Sequence, residues 1–189
     1  DFYQPALDKK VDIMVGLFEN NNIKNFKVDL INFHHKEDEE NIRGFLDTLM
    51  ARTNYIMHIN LDITAGNRYG YFYFNEYGNF FVENRYTDYR KYYPHWTLRN
   101  LWQLSKYVPP EKLQMEFLNV WRNDSLYGLN DPLRPSQVPF EYCFATVMAS
   151  QPLAWMETSM LPPEAFKIAD LIKKYREISF DFHKGAILP

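Results

Sequence analysis

The chain has a single cysteine, Cys143, in 189 residues. One thiol excludes an intrachain disulfide and any metal site built from several cysteines. Glycine is scarce, with 7 residues, and no glycine-rich phosphate loop is present. Positive charge is not in excess: 21 Lys and Arg face 24 Asp and Glu, for a formal net charge of −3 and a pI near 6.0. No cationic field therefore points to nucleic acid or an anionic membrane as partner. No run of about 18 apolar residues occurs, so no bilayer-spanning helix is expected. The first ten residues, D-F-Y-Q-P-A-L-D-K-K, do not read as a signal peptide. There is no low-complexity segment and no self-similar repeat of about 20–50 residues.

Aromatics are what the chain has in excess, at 15 Phe, 14 Tyr and 4 Trp. Such side chains wall sites for flat or sugar-like ligands, although an aromatic core gives the same composition. With 46% hydrophobic and 24% charged residues, the chain can bury one ordinary domain core.

Periodicity predicts alternating helices and strands. Helix is expected over Ala6 to Asn20, with Val11, Met14, Val15 and Phe18 as its apolar stripe, and over Glu39 to Ala51, with Ile42, Phe45, Leu46 and Leu49. Further helices are expected over Trp96 to Tyr107, with Leu98, Leu101, Trp102 and Ser105 inward, over Phe140 to Ser150, and from Pro162 to about Arg176. Short apolar strands are expected at about 24–30, 55–61, 80–83, 113–118 and 152–156. Asp62 to Asn79 reads as a long loop carrying a small hairpin. Strands separated by single helices predict parallel βα units.

The strand ends carry the polar residues: Lys27 and Asp29; Asn60 and Asp62; Glu83, Arg85 and Asp88; Glu116 and Asn119. In a parallel barrel such ends share one face, where the chemistry sits. Two carboxylates about 5–5.5 Å apart there can run a retaining glycosidase. One attacks the anomeric carbon, and the other protonates the leaving oxygen and then activates water.

These motifs, in this order, resemble the α-galactosidase clan, closest to glycoside hydrolase family 36 and its raffinose-synthase-like relatives. Lys27-Val28-Asp29 matches the family's K-x-D strand end, which implies that Asp29 is the nucleophile. N-L-D-I-T-A-G-N-R is similar to the family's E-N-C-S-x-G-G-G-R, with Asn60 at its Glu, Asp62 at its Cys, Thr64 near its Ser, Gly66 on a Gly and Arg68 on its Arg. Arg85-Tyr86-Thr87-Asp88 resembles R-x-S-D, which implies Asp88 as acid/base; a shifted alignment would select Glu83. A Pro-Leu-Ala-Trp strand and the ending G-A-I-L-P also look like the family. The resemblance runs from about Val11 to Pro189.

The resemblance implies an α/β fold, a (β/α)8 TIM barrel of which this chain holds roughly strands 4 to 8. Residues 1–178 would be the C-terminal part of the catalytic domain, and 179–189 an exit segment toward a following domain. The implied function is a retaining α-glycoside hydrolase, an α-galactosidase cleaving terminal α-galactosides. The alternatives are a raffinose-synthase-type transglycosylase and a non-catalytic carbohydrate-binding relative. Asp29 and Asp88 are the expected catalytic pair, and Lys27, Asn60, Asp62, Arg68 and Arg85 the expected sugar contacts. Because Asn60 and Asp62 depart from the family pattern in its substrate loop, the sugar itself stays open. The expected partner is an oligosaccharide or α-galactoside. No nucleic acid, membrane, cofactor or metal is expected. Half a barrel leaves strand edges unpaired, so the rest of the barrel or a neighbouring chain is expected to complete it.

Other candidates read as structural. His34 and His35, beside Glu37 and Asp38, lack metal-ligand spacing. His58, on an expected strand, is expected to be a satisfied core histidine, and His95 to be structural. Ser105 and Ser125 have no nucleophile-elbow context.

Overall fold

The computed structural model describes residues 4–29, 34–63, 75–82, 90, 93–117, 119–154 and 161–188. Its strands are β1 (Asn25–Val28), β2 (His58–Asp62), β3 (Gly78–Val82), β4 (Leu113–Phe117) and β5 (Gln151–Ala154). Its helices are α1 (Gln4–Asn21), α2 (Lys36–Arg52), α3 (Pro94–Leu104), α4 (Phe140–Ala145) and α5 (Ile168–His183). The strands form one five-stranded sheet in chain order, and the three pairings with a described register, β1–β2, β2–β3 and β4–β5, are parallel. The α/β class and the five expected strands are therefore present. The chain divides into two compact units, residues 1–81 and 82–189.

In the first unit, α1 buries Leu7, Val11 and Val15, successive i, i+4 positions on one face. The expected stripe is thus turned toward Leu7, leaving Met14 and Phe18 half-buried. The helix ends at Asn21, and Asn22 follows with a φ of 55°, the left-handed conformation that Asn tolerates just past a helix C-terminus.

Helix α2 begins earlier than its apolar pattern does. Asp38 Oδ2 accepts the backbone N–H groups of His34 and His35 at 3.1 and 3.0 Å, satisfying donors that a helix start leaves orphaned. Glu37, Asp38 and Glu39 place negative charge at the positive end of the helix dipole. This gives the charged stretch beside His34 and His35 a role at the helix start. The buried side is Ile42, Phe45, Leu46, Leu49 and Met50, the expected stripe with one addition.

The strands of this unit alternate. In β2, Ile59 and Leu61 are fully buried apolar residues, while His58, Asn60 and Asp62 point to the other face. His58 is exposed at the start of the strand and not the core histidine expected. Strand β3 begins at Gly78, earlier than expected. A Cβ at Gly78 would stand 1.7 Å from the Ile59 carbonyl oxygen, so glycine is what permits β3 to approach β2 there.

In the second unit, Pro94 opens α3, where its fixed φ and missing N–H are tolerated. Its buried residues are Pro94, Thr97 and Leu101; Leu98 is 44% exposed. This corrects the expected inner face. Trp102 lies beneath the Lys106 ammonium, 3.9 Å from the ring centroid. Helix α4 stops at Ala145, short of Ser150, and its last residues give way to turns. Pro152 lies in β5, the last strand in sheet order, where a missing N–H donor is tolerated. Helix α5 runs past Arg176 to His183. Its end is fastened to the turn before β5: Tyr175 Oη donates to the Ser150 carbonyl at 3.2 Å, and His183 Nε2 lies 2.9 Å from the same oxygen. No described helix is long and apolar enough to cross a membrane.

Candidate functional site

Period-two geometry and parallel register build the site. Asn60 and Asp62 lie two residues apart within β2 and share a face of that strand. Lys27 pairs with Asn60 across β1–β2, Asn60 pairs with Asn79 across β2–β3, and Asp62 pairs with Phe81. One face of three adjacent strands thus carries Lys27, Asn60, Asp62, Asn79 and Phe81, while Val28, Leu61 and Phe80 turn to the other. Asp29 directly follows β1.

Lys27 is the hub. Its Nζ lies 3.3 Å from Asp29 Oδ2 and 3.1 Å from Asp62 Oδ2. It also stands 3.8 Å from the centroid of Phe81, within cation–π range. Burial grades across the cluster. Side-chain exposure is 5% for Asp62, 28% for Lys27 and 41% for Asp29. Phe81 and Asn60 are buried as well. A carboxylate as enclosed as Asp62 needs a paired cation, because removing one partner of a buried ion pair costs about 3–5 kcal/mol. Lys27 is that cation. Asp29 is the most exposed member.

Four expected site residues therefore come together: Lys27, Asp29, Asn60 and Asp62. Asp88, Arg68 and Arg85 lie outside the described residues, as do Glu83, Thr64 and Gly66. Sequence reasoning missed Phe81 and Asn79. Strand alternation places them with the cluster only once the β2–β3 register is known.

In the second unit, Glu116 is buried within β4. Asn119 has a local role: its Oδ1 accepts the Trp121 N–H at 2.9 Å and turns the chain out of the strand. Trp121 in turn meets Phe140 edge-on, with centroids 5.0 Å apart. The following loop is pinned by Asp124. Its Oδ2 takes the Arg134 guanidinium, with Nε at 2.6 Å and Nη2 also in contact, and its Oδ1 accepts the Ser136 N–H at 2.9 Å. The hydrogen-bonded guanidinium holds the Asp124 carboxyl well below the usual carboxylate range. Neither clamp residue was singled out from sequence, since an Asp and an Arg ten residues apart in a polar loop carry no pairing signal.

Among the described residues, no group of three or more His, Cys, Asp and Glu is arranged to hold a metal.

Fold and site together define a parallel α/β protein with a carboxylate–ammonium–carboxylate cluster at its strand ends. Comparison with known proteins matches the chain to no protein family, no curated protein and no solved structure.

Proposed function

We propose that the chain is the strand 4 to 8 portion of a (β/α)8 glycosidase barrel, and that it works as a retaining α-glycoside hydrolase on terminal α-galactosides. The observation that carries this reading is the state of Asp29. It is a half-exposed carboxylate following a parallel strand, held by an ammonium 3.3 Å away. Strand C-terminal ends are where α/β barrels keep their catalytic groups.

Asp29 attacks the anomeric carbon and forms a glycosyl ester as the bond to the leaving oxygen breaks. Asp88 gives that oxygen its proton, then takes a proton from the water that cleaves the ester. Lys27, Arg68 and Arg85 serve sugar hydroxyls as charged donors. The motif order along the chain supports these roles for the residues beyond Asp62.

Asp29→Asn in the full-length protein tests the reading. It removes the nucleophile while keeping the shape of the side chain. Hydrolysis of an aryl α-galactoside is expected to fall by about 10³-fold or more. Hydrolysis at the wild-type rate would show that Asp29 is not the nucleophile.

A further inference from the structure

We infer that Asp62 and Phe81 are positioning residues: they seat the Lys27 ammonium so that it holds Asp29 in the orientation for attack. This rests on Asp29 being the nucleophile, and it gives Asp62 a role other than the sugar contact expected from its sequence motif.

The argument is one of burial and reach. A lysine carries its charge on a flexible four-carbon stem, so something must fix where the ammonium stands. Among the described residues, Asp62 and Phe81 do so. Asp62 Oδ2 is 3.1 Å from Nζ, and the Phe81 ring centroid is 3.8 Å from it. Both groups are enclosed: the Asp62 side chain is 5% exposed and Phe81 is 1% exposed. Neither can swing to follow a ligand. Both offer negative potential, one as a carboxylate and one as the face of an aromatic quadrupole. The ammonium they hold reaches outward to Asp29 Oδ2 at 3.3 Å.

The cluster is thus a relay of position from the interior to the surface. Asp62 and Phe81 fix Lys27, and Lys27 fixes Asp29. Attack on an anomeric carbon needs such control, since misplacing a reacting group by about 1 Å can cost about 10²-fold in rate.

The test labels Asp29 covalently in the full-length protein, with a cyclophellitol-type aziridine of α-galacto configuration as probe. The attacking carboxylate forms an ester as the ring C–N bond breaks and the nitrogen takes up a proton. Peptide mass spectrometry locates the ester, and its rate of formation is followed for Asp62→Asn, Lys27→Met, Phe81→Leu and the Asp62→Asn/Lys27→Met double variant. Urea unfolding confirms that each variant is folded.

Labelling of wild type at Asp29 is expected. Asp62→Asn and Lys27→Met should each slow it by tenfold or more, and Phe81→Leu by a few-fold. Adding Asp62→Asn to Lys27→Met should slow it no further, because Asp62 acts through the ammonium. Lys27→Arg should restore part of the rate lost in Lys27→Met. If wild type is labelled and Asp62→Asn reacts as fast, or if the two losses multiply, the positioning role is wrong and the glycosidase reading stands. If wild type is not labelled at Asp29, the glycosidase reading fails and this inference fails with it. Should Asp62→Asn not fold, Phe81→Leu decides the matter in the same assay: labelling at the wild-type rate would overturn the positioning role.

Discussion

Gly78→Ala is a one-methyl change with a large expected effect. The added Cβ would stand 1.7 Å from the Ile59 carbonyl oxygen, 2.6 Å from its carbonyl carbon and 2.8 Å from its nitrogen. All three are backbone atoms of β2, so no side chain can rotate away. Restoring ordinary contact means moving β3 off β2 by well over 1 Å. That motion opens the Ile59–Gly78 register and lengthens the Ile59 N–H to Tyr77 carbonyl hydrogen bond, now 3.2 Å. Overpacking alone costs about 1–3 kcal/mol, and each weakened hydrogen bond adds about 0.5–1.5 kcal/mol. The total is about 1.5–4.5 kcal/mol, a large share of a domain's stability of about 5–15 kcal/mol. With an m-value of about 2–3 kcal/mol/M, the urea midpoint should drop by about 0.5–2 M. Gly44→Ala is the internal control. Gly44 lies within α2, and a Cβ there meets nothing within 4 Å. Alanine should therefore stabilise by about 0.5–1 kcal/mol. A Gly78→Ala protein that unfolds at the wild-type midpoint would refute the close β2–β3 approach.

Two further predictions concern pH. Asp124 has its carboxyl titration depressed by Arg134, so the stability it supplies is complete above about pH 4 and fades as pH falls through its folded value. Asp124→Ala should cost about 1–3 kcal/mol at pH 7, and urea midpoints should show that gap narrowing steadily as pH is lowered from about 4 toward 2. Tyr77 behaves in the opposite sense. Its hydroxyl donates to Asp47 Oδ1 at 2.7 Å, and that bond leads the shift of its pKa up to about 12. Its contribution is complete below about pH 10 and is lost as pH rises toward the folded value. Tyr77→Phe should be less stable than wild type at pH 8, and the difference should shrink when unfolding is followed above pH 11.

Much of the fold was legible in the sequence because it depends on local periodicity. The expected strand at 55–61 appears as β2 over His58–Asp62, and the expected stripe Ile42, Phe45, Leu46, Leu49 is the buried side of α2. Helix faces were less legible where the partner sets the rotation. In α3 the buried side is Thr97 and Leu101, with Leu98 outward, since an aromatic-rich helix has apolar residues on more than one face. The start of β3 was missed because Gly78 reads as a turn residue. Only the neighbouring strand's backbone reveals why glycine belongs inside this strand.

The site divides along the same line. The i, i+2 spacing of Lys27 with Asp29 and of Asn60 with Asp62 is visible in sequence. What brings the two pairs together is the β1–β2 register, which pairs Lys27 with Asn60. Register depends on tertiary packing, so neither the Lys27–Asp62 ion pair nor the contact with Phe81 could be read beforehand.

The central claim, that Asp29 is the nucleophile of a retaining α-galactoside hydrolase, is tested most directly by chemical rescue. Asp29→Gly in the full-length protein removes the carboxylate and opens space for a small anion. On an aryl α-galactoside with a good leaving group, the variant should lose activity by about 10³-fold or more. Added azide should restore turnover by attacking the anomeric carbon from the vacated side, giving the β-galactosyl azide as product. Wild-type hydrolysis by Asp29→Gly without azide, with galactose as the product, would contradict the account.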